Sequence, residues 1–458
     1  MEKISISEIL RATEGTLLSG NTDDFVTSVS IDSRKINKGC LFVPLKGEKV
    51  DGHDYIKEAF RLGASVSLCE IGNEKVAGVC GQLIEVQNTL TALQKLAAYY
   101  RSKFSIPIIG VTGSVGKTTT KEMIASVLSE NLKVLKTQGN YNGQIGLPLT
   151  IFELDHSYQA AVIEMGISKP GEMDRLNEIA NPDIGVITNI GLSHIENFKS
   201  IENTRDEKLK IVSGENKRLY VNGDSPLLTN NEDKNKALIT YFGINGAYPY
   251  KCQEIYTDEE QTGFVLSTSQ LRDNIIIPCL GLHNVYNALA TIAIARDMGL
   301  HLEDIKRGLL NFRNADRRQH IIKFKDIILI DDSYNASPDS IKSSVSILKN
   351  IKSSGKNIVV IADMLELGDR SKEIHFETGR YIAMEKIDVL ITIGENSKYL
   401  SDGAQCVNQE IITRHCSDNI EAFQKISEVI SSGDKILIKG SRGMHTDEIV
   451  ELIIKNYN

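Results

Sequence analysis

The sequence predicts an α/β protein of three domains, and three observations carry that reading. Its 458 residues give room for about three domains at roughly 100–200 residues each. Hydrophobic residues at 41% and charged residues at 24% match a folded globular mix and exclude a disordered or fibrous chain. Short apolar β-type runs alternate with amphipathic helical stretches along most of the length, the pattern of parallel sheets covered by helices.

Residues 1–105 make the first unit. SVSID (28–32), CLFVPL (40–45) and SVSLCE (65–70) read as strands, and HDYIKEAFRLGA (53–64) as an amphipathic helix, together a small α/β module. The second unit, 106–313, opens where the strand SIPIIGVTG (105–113) runs into a glycine turn and then TTTKEMIASVLSE (118–130). In that helix Ile124, Val127 and Leu128 recur on one face. Strands AAVIEMG (160–166) and IGVITNIG (184–191) follow, with GEMDRLNEIA (171–180) between them, as in a parallel sheet. The third unit, 314–458, alternates DIILIDD, SIKSSVSILKNI, NIVVIADM, a helical stretch, IDVLITIG and KILIKGSRG before a terminal helix, a doubly wound pattern. The polar residues 230–236 read as a surface loop.

Fifty-two Lys and Arg against sixty Asp and Glu give a net charge of −8, so no global basic field exists to hold nucleic acid. No apolar run approaches the ~18 residues that cross a bilayer, and MEKISISEIL lacks the regions of a secretory signal. A cytoplasmic protein without membrane insertion is expected. The seven cysteines (Cys40, Cys69, Cys80, Cys252, Cys279, Cys406, Cys416) are scattered and never form a CxxC pair, which argues against a disulfide framework or zinc site. Cys80 and Cys279 lie among apolar residues and read as small buried hydrophobes.

Gly110-Val-Thr-Gly113-Ser114-Val115-Gly116-Lys117-Thr118-Thr119 lies between a strand and a helix, where backbone N–H groups and a helix N-terminus can wrap a phosphate chain. It is a variant phosphate-binding loop, because Val111 stands where glycine is usual. Gly113 to Gly116 supply the turn, Lys117 a point charge for the β- and γ-phosphates, and the Thr118 or Thr119 hydroxyl a ligand for Mg2+. The bland alternative is a glycine turn with an incidental lysine.

Hard cations take oxygen ligands, and Glu164, at the end of an apolar strand, is delivered to the crevice where such a sheet binds nucleotide. His194, in Gly191-Leu-Ser-His194-Ile-Glu196, follows the next strand and could complete a second metal site or simply be a hydrogen-bonded loop residue. Asn284 and Asn287, in Gly281-Leu-His283-Asn284-Val-Tyr-Asn287, share one helical face. Paired amides suit the donor and acceptor edge of adenine, although Asn284 could equally cap the helix.

Together these strings resemble the Mur ligases, ATP-dependent amide-bond-forming enzymes of peptidoglycan precursor synthesis, over essentially the whole chain and in order. Asp32-Ser33-Arg34, Phe42-Val-Pro-Leu-Lys46-Gly47 and Asp51-Gly52-His53 look like the family's uridine-nucleotide-binding module. Gly139-Asn140-Tyr-Asn142, Ile145-Gly-Leu-Pro-Leu-Thr150, Glu164-Met-Gly166 and Thr188-Asn-Ile-Gly191 continue the match. Asp331-Asp332-Ser-Tyr334-Asn335, Ala362-Asp-Met-Leu-Glu-Leu-Gly368 and Lys439-Gly-Ser-Arg442-Gly-Met444 complete it. The resemblance implies a UDP-substrate-binding domain at 1–105, a central P-loop ATPase domain at 106–313 and a Rossmann-like ligase domain at 314–458. It points to the member that joins D-alanyl-D-alanine to UDP-N-acetylmuramoyl-tripeptide. The sister ligase that adds the third residue carries Asn-Pro-Arg, whereas the only Asn-Pro here, Asn181-Pro182, precedes Asp183. Two departures stand out: Ser337 replaces a usual asparagine, and Gly143-Gln144 a usual Asn-Glu pair, leaving the substrate contact on Asn140 and Asn142.

The same resemblance implies ATP and Mg2+ as cofactors and an acyl phosphate intermediate; a monomer is expected, although the sequence itself is silent on oligomeric state. It assigns Arg317, Asp332, Tyr334 and Asn335 to ATP beside the P-loop, Asn284 and Asn287, and it assigns Ser33, Arg34, Lys46, Asn140, Asn142 and Arg442 to substrate. Arg317 could instead be surface charge, and the Asp331–Asp332 pair could cap the next helix. Lys208, fourteen residues after His194, has the spacing at which the family carries a lysine carbamylated by carbon dioxide, an anion able to join Thr118, Glu164 and His194 at metal. The family's usual glutamate two positions later is Lys210 here, and the alternative is a solvated helix lysine. Other readings are a sister or folate-type amide ligase and, from another class, a P-loop switch, for which no Asn-Lys-x-Asp guanine signature occurs.

Overall fold

Three mostly parallel sheets, each covered by helices, organise the described residues, 1–229 and 237–457, of the computed structural model. The expected surface loop at 230–236 lies outside them. The N-terminal sheet runs in the order Thr16–Ser19, Gln82–Val86, Ala64–Glu70, Cys40–Phe42, Ser28–Ser30, parallel except at its first pair. Two helices went unread in the sequence: Ile6–Thr13, closed by a Ser5–Glu8 capping box, and Thr89–Arg101, capped by Asn88.

The central sheet has nine described strands. From the middle outward on one side lie Ile108–Thr112, Ala160–Glu164 and Val134–Lys136; on the other lie Ile184–Ile187, Arg218–Asn222, Leu238–Gly243, Tyr250–Thr257, Thr262–Ser267 and Arg272–Ile277. The last three pair antiparallel, correcting the purely parallel expectation. The strands at the phosphate turn are buried at every position, as a sheet covered on both faces requires. One face packs against Leu93, Tyr100, Leu147 and Ile151, so the N-terminal unit shares this core. Tyr100 also donates its hydroxyl hydrogen to the Leu154 carbonyl at 2.6 Å. The other face packs against Ile124, Val127 and Leu128 of helix Lys117–Leu128 and Val285, Leu289 and Ile292 of helix Leu282–Asp297.

The C-terminal sheet runs His320–Phe324, Ile327–Asp331, Lys435–Lys439, Asn357–Ala362, Val389–Ile393, Ile412–Cys416, antiparallel only at its first pair. Helices cover both faces, and Ile195 and Leu280 of the central unit join the core around Ile341 and Ile347. Cys279 is buried as expected, but Cys80 is exposed on the turn before strand Gln82–Val86. Its apolar neighbours in sequence do not surround it in space.

Candidate active site

Strand Ile108–Thr112 ends in the glycine turn, and register places Glu164 beside Val111 and Ile187 beside Thr112. Carboxylate and turn therefore emerge at the same, C-terminal edge of the sheet, where a doubly wound fold binds its ligand. Gly113 has φ +149, and any Cβ there would strike the Thr188 hydroxyl. The turn is fixed from behind: Asn189 Oδ1 accepts from Val115 N at 2.7 Å, the Asn189 carbonyl accepts from Ser114 N at 3.0 Å, and Ser114 Oγ accepts from Gly191 N at 2.8 Å. Gly116 caps helix Lys117–Leu128 without a side-chain bond. The first-turn N–H groups therefore have no intrahelical partner and form an anion site.

Lys117 Nζ donates to the Gly113 carbonyl at 2.9 Å, and burial lowers its pKa, with Glu164 opposing. Glu164, 2% exposed, accepts from Thr118 Oγ1 at 2.9 Å and from Asn142 Nδ2 at 2.7 Å. One carboxylate thus joins the phosphate turn to the loop carrying Asn140 and Asn142. Among the described residues no three His, Cys, Asp or Glu side chains form a ready metal cage. A hydroxyl beside a buried carboxylate is instead an oxygen donor set suited to Mg2+ that keeps water and phosphate ligands.

A cleft of about 620 Å3 opens here between the central and C-terminal units. Ser114 to Thr119, Asn140, Asn142, Glu164, His194, Asp332, Tyr334 and Asn335, all named from sequence, line it. His194 caps helix Ile195–Phe198 at φ 57, and its Nδ1 lies 2.5 Å from Glu366 of the C-terminal unit. Pairing with His194 holds the Glu366 carboxyl below its usual range. Glu196 N reinforces this crossing by donating to the Glu366 carbonyl at 3.3 Å.

Lys208, on helix Ile201–Leu209, is 2% exposed rather than solvated. Burial first, then the Lys117 charge, pushes its pKa well below the ordinary lysine value, with Glu207 opposing.

Other residues are placed differently from expectation. Asn284 and Asn287 are buried behind the cleft, with Asn287 Nδ2 donating to Asn284 Oδ1 at 3.0 Å. Thr120 Oγ1 donates to Asn287 Oδ1 at 3.0 Å and Asn284 Nδ2 to the Leu280 carbonyl at 2.7 Å, so the scaffold engages part of each amide. Nor does Asn284 cap the helix, a place held by Gly281. His283 lines the cleft instead; its Nε2 bonds the Gln319 side-chain amide, and burial lowers its pKa. Asp332 does not cap the following helix, Pro338–Asn350, whose N-cap is Ser337. Its carboxylate is occupied by Ser344 Oγ at 2.6 Å and by buried Lys439. Ser337, where the family pattern has asparagine, accepts from Ser340 N as that helix's cap.

Arg317, at φ 60, turns away to Asp447 and Glu451, and its neighbour Arg318 enters the cleft, 4.2 Å from the Tyr334 ring. Arg317 and Arg442 line an adjoining cavity of about 740 Å3 that shares Thr118, Asn140, Arg318 and Tyr334 with the cleft. Sequence reasoning missed Arg318, Glu366, Gln319 and Lys439. Glu366 and Lys439 lie within Ala362–Gly368 and Lys439–Met444, strings that carry the family resemblance, whereas Arg318 and Gln319 have no such signal. Ser33, Arg34 and Lys46 lie outside both cavities; the Arg34 side chain is 87% exposed and pairs with Asp32 at 2.9 Å.

Family models for the Mur ligase catalytic domain, the Mur ligase middle domain and the Mur ligase glutamate ligase domain match residues 25–101, 111–295 and 317–442. The UDP-N-acetylmuramoyl-tripeptide–D-alanyl-D-alanine ligase of Bacillus subtilis is 38% identical over 462 aligned residues, covering 100% of this chain and 99% of the relative. That of Escherichia coli is 31% identical over 463, covering 100% and 99%. Among solved structures, a MurF crystal structure from Acinetobacter baumannii superposes with a TM-score of 0.90 at 28% identity, all of both chains covered. The MurF ligase of Thermotoga maritima in complex with ADP gives 0.82 at 27%, covering 94% of this chain and 97% of that one.

Proposed function

The chain belongs to the Mur ligase family, and on that premise we infer that it joins D-alanyl-D-alanine to the peptide carboxylate of UDP-N-acetylmuramoyl-tripeptide with cleavage of ATP. The observation that carries the reading is the Thr118–Glu164–Asn142 bridge, in which one buried carboxylate serves both the phosphate turn and the neighbouring loop.

An amine does not displace oxide from a carboxylate at neutral pH, so the carboxylate is activated first. The γ-phosphoryl group of ATP passes to it, giving an acyl phosphate and ADP, with Lys117 and the first-turn N–H groups neutralising the transferring charge. The neutral dipeptide amine then attacks the acyl carbon, and the tetrahedral intermediate collapses to the amide as inorganic phosphate leaves with the proton lost by the amine. Asn140 and Asn142 hold the acyl substrate against Glu164, while Ser33, Arg34 and Lys46 hold its uridine end. Tyr334, Asn335 and His283 meet the nucleoside; Asn284 and Asn287 act from behind by fixing the helix that carries His283. Asp332 fixes Lys439 at the cleft wall, Arg318 faces the phosphates, and Arg317 joins it on release from Asp447. Arg442 faces the peptide substrates. The His194–Glu366 pairing fastens the closed cleft and keeps water from the acyl phosphate.

Thr118, Glu164, His194 and Lys208 are the residues that would hold Mg2+, which when bound neutralises charge on the phosphate oxygens. Lys208 suits carbamylation. Burial lowers the pKa of this amine, so it gives up its proton more readily than an ordinary lysine and offers its lone pair to carbon dioxide, and its carbamate would be an anion beside Lys117. The enzyme works as a cytoplasmic monomer, with domains meeting near residues 105 and 313.

Product mass spectrometry tests the reading. Phosphate release should require both UDP-muramoyl-tripeptide and D-alanyl-D-alanine, and the product should carry their condensed mass. Nucleotide hydrolysis indifferent to every amine acceptor would overturn it.

A further inference from the structure

Lys121 is among the largest fully buried side chains of the described residues, 1% exposed, yet it lies one turn beyond the phosphate-binding residues and touches none of the substrate positions assigned above. A lysine is seldom buried unless its ammonium is bonded. Here Nζ donates to the Thr137 carbonyl at 2.7 Å and lies 2.8 Å from Glu122 Oε1, and Glu122 also pairs with Lys136 at 2.5 Å.

Thr137 is itself wholly buried and faces two ways. Its Oγ1 accepts from Glu164 N at 2.9 Å, and it begins the segment leading to Asn140 and Asn142. That segment is closed further on by Asn142 N to the Asn140 carbonyl and by Gly166 N to the Asn142 carbonyl, each 2.8 Å. One helix therefore carries Lys117 and Thr118 on its first turn and, through Lys121, the root of the loop that meets the same Glu164.

We propose that Lys121 is a positioning residue that locks the Asn140–Asn142 loop and the Glu164 backbone to the phosphate-binding helix, so that acyl substrate and nucleotide meet in one register. This rests on the ligase reading above. The ammonium charge matters because a Lys-to-carbonyl bond inside the core is charge-assisted, stronger and more directional than a neutral one.

The test compares wild type with Lys121→Met, which keeps length and removes every donor, and with Glu122→Gln, which breaks the ion pairs to Lys121 and Lys136 and leaves the Thr137 bond. KM for UDP-muramoyl-tripeptide and the Mg2+ half-saturation should each rise about tenfold or more in Lys121→Met, while ADP affinity stays within threefold. Glu122→Gln should leave all three near wild type. A general packing defect would lower the active fraction and leave the constants alone; that result, or unchanged constants, overturns the proposal. If Lys121→Met does not fold, Lys121→Gln, with a shorter neutral donor, is read the same way: intermediate constants support the assignment and wild-type constants reject it. Wild-type enzyme that ignored the UDP-linked peptide would instead refute the ligase reading itself.

Discussion

Glu164→Gln isolates charge from shape at the residue on which the cleft converges. The carboxylate is 2% exposed and accepts two bonds, from Thr118 and Asn142. Glutamine keeps the volume and one carbonyl oxygen, and Asn142 can turn its own amide to accept from the new NH2. Both bonds survive as neutral ones, each weaker by about 1 kcal/mol, and relief of a buried charge returns part of that loss. Unfolding free energy should therefore change by no more than about 2 kcal/mol. The rate should suffer more, because the anionic oxygen ligand is lost where charge builds on the phosphoryl group. Removal of one such preorganised group costs roughly 10²–10³ in kcat, about 3–4 kcal/mol of barrier. Phosphate release followed across a Mg2+ titration should show kcat down by that factor and the half-saturation for Mg2+ moved up, with unchanged thermal unfolding cooperativity. If kcat stays within tenfold of wild type and the Mg2+ curve does not move, Glu164 is a structural carboxylate and the metal assignment fails.

Lys117→Ala should lower phosphate release about a thousandfold or more while the fold persists, because only its bond to the Gly113 carbonyl is lost from the scaffold; turnover within tenfold would reject the phosphate assignment. Lys208→Ala should lose most activity and recover part of it in acetate, and wild type in labelled bicarbonate should give a carbamate carbon signal; neither rescue nor signal would leave Lys208 an ordinary amine. Burial lowers the Lys208 pKa, so between that lowered value and the ordinary 10.5 the unfolded chain holds more protons than the native one, and stability rises with pH across this window. Lys208→Met should flatten that rise in urea titrations run without carbon dioxide, and an unaltered slope would contradict the burial. Small-angle scattering should show the free enzyme expanded relative to this structure, in which His194 and Glu366 join the two cleft walls, and compacted to it when an ATP analogue and the UDP-linked peptide bind together; an unchanged radius would mean a preformed site.

What could be read in advance was whatever is local. The strand at Ile108–Thr112, the glycine turn and the helix at Lys117–Leu128 follow from a fully apolar run, two glycines at positive φ and an apolar helical stripe, all within a few residues of one another. The antiparallel extension at Tyr250–Ile277 was not legible, because strand Tyr250–Thr257 is exposed over its second half and lacks an alternating apolar pattern. Arg317 and Arg318 are adjacent and chemically identical, yet Arg317, at a left-handed backbone position, pairs with Asp447 and Glu451 while Arg318 lines the cleft, a division no local pattern announces. Glu366 meets His194 across a domain gap of 172 positions in the chain, and no pattern at either end announces the other.

The paired amides show a deeper limit. Asn284 and Asn287 have the donor and acceptor set that a purine edge wants, and sequence spacing does put them on one face. Whether an amide is free for a ligand depends on how many of its bonds the fold has already taken. Here Thr120, the Leu280 carbonyl and each other take part of that capacity, and it is His283, between strand and asparagine, that lines the cleft wall. Lys208 is the converse. In Thr204-Arg-Asp-Glu-Lys208-Leu-Lys210 it reads as a charged surface helix, with no apolar stripe to mark an inward face, yet it is buried where the Lys117 charge reaches it. An ammonium so placed is under electrostatic pressure to lose its charge or reverse it. That pressure, which exists only in three dimensions, is the physical reason to seek an anion at this lysine.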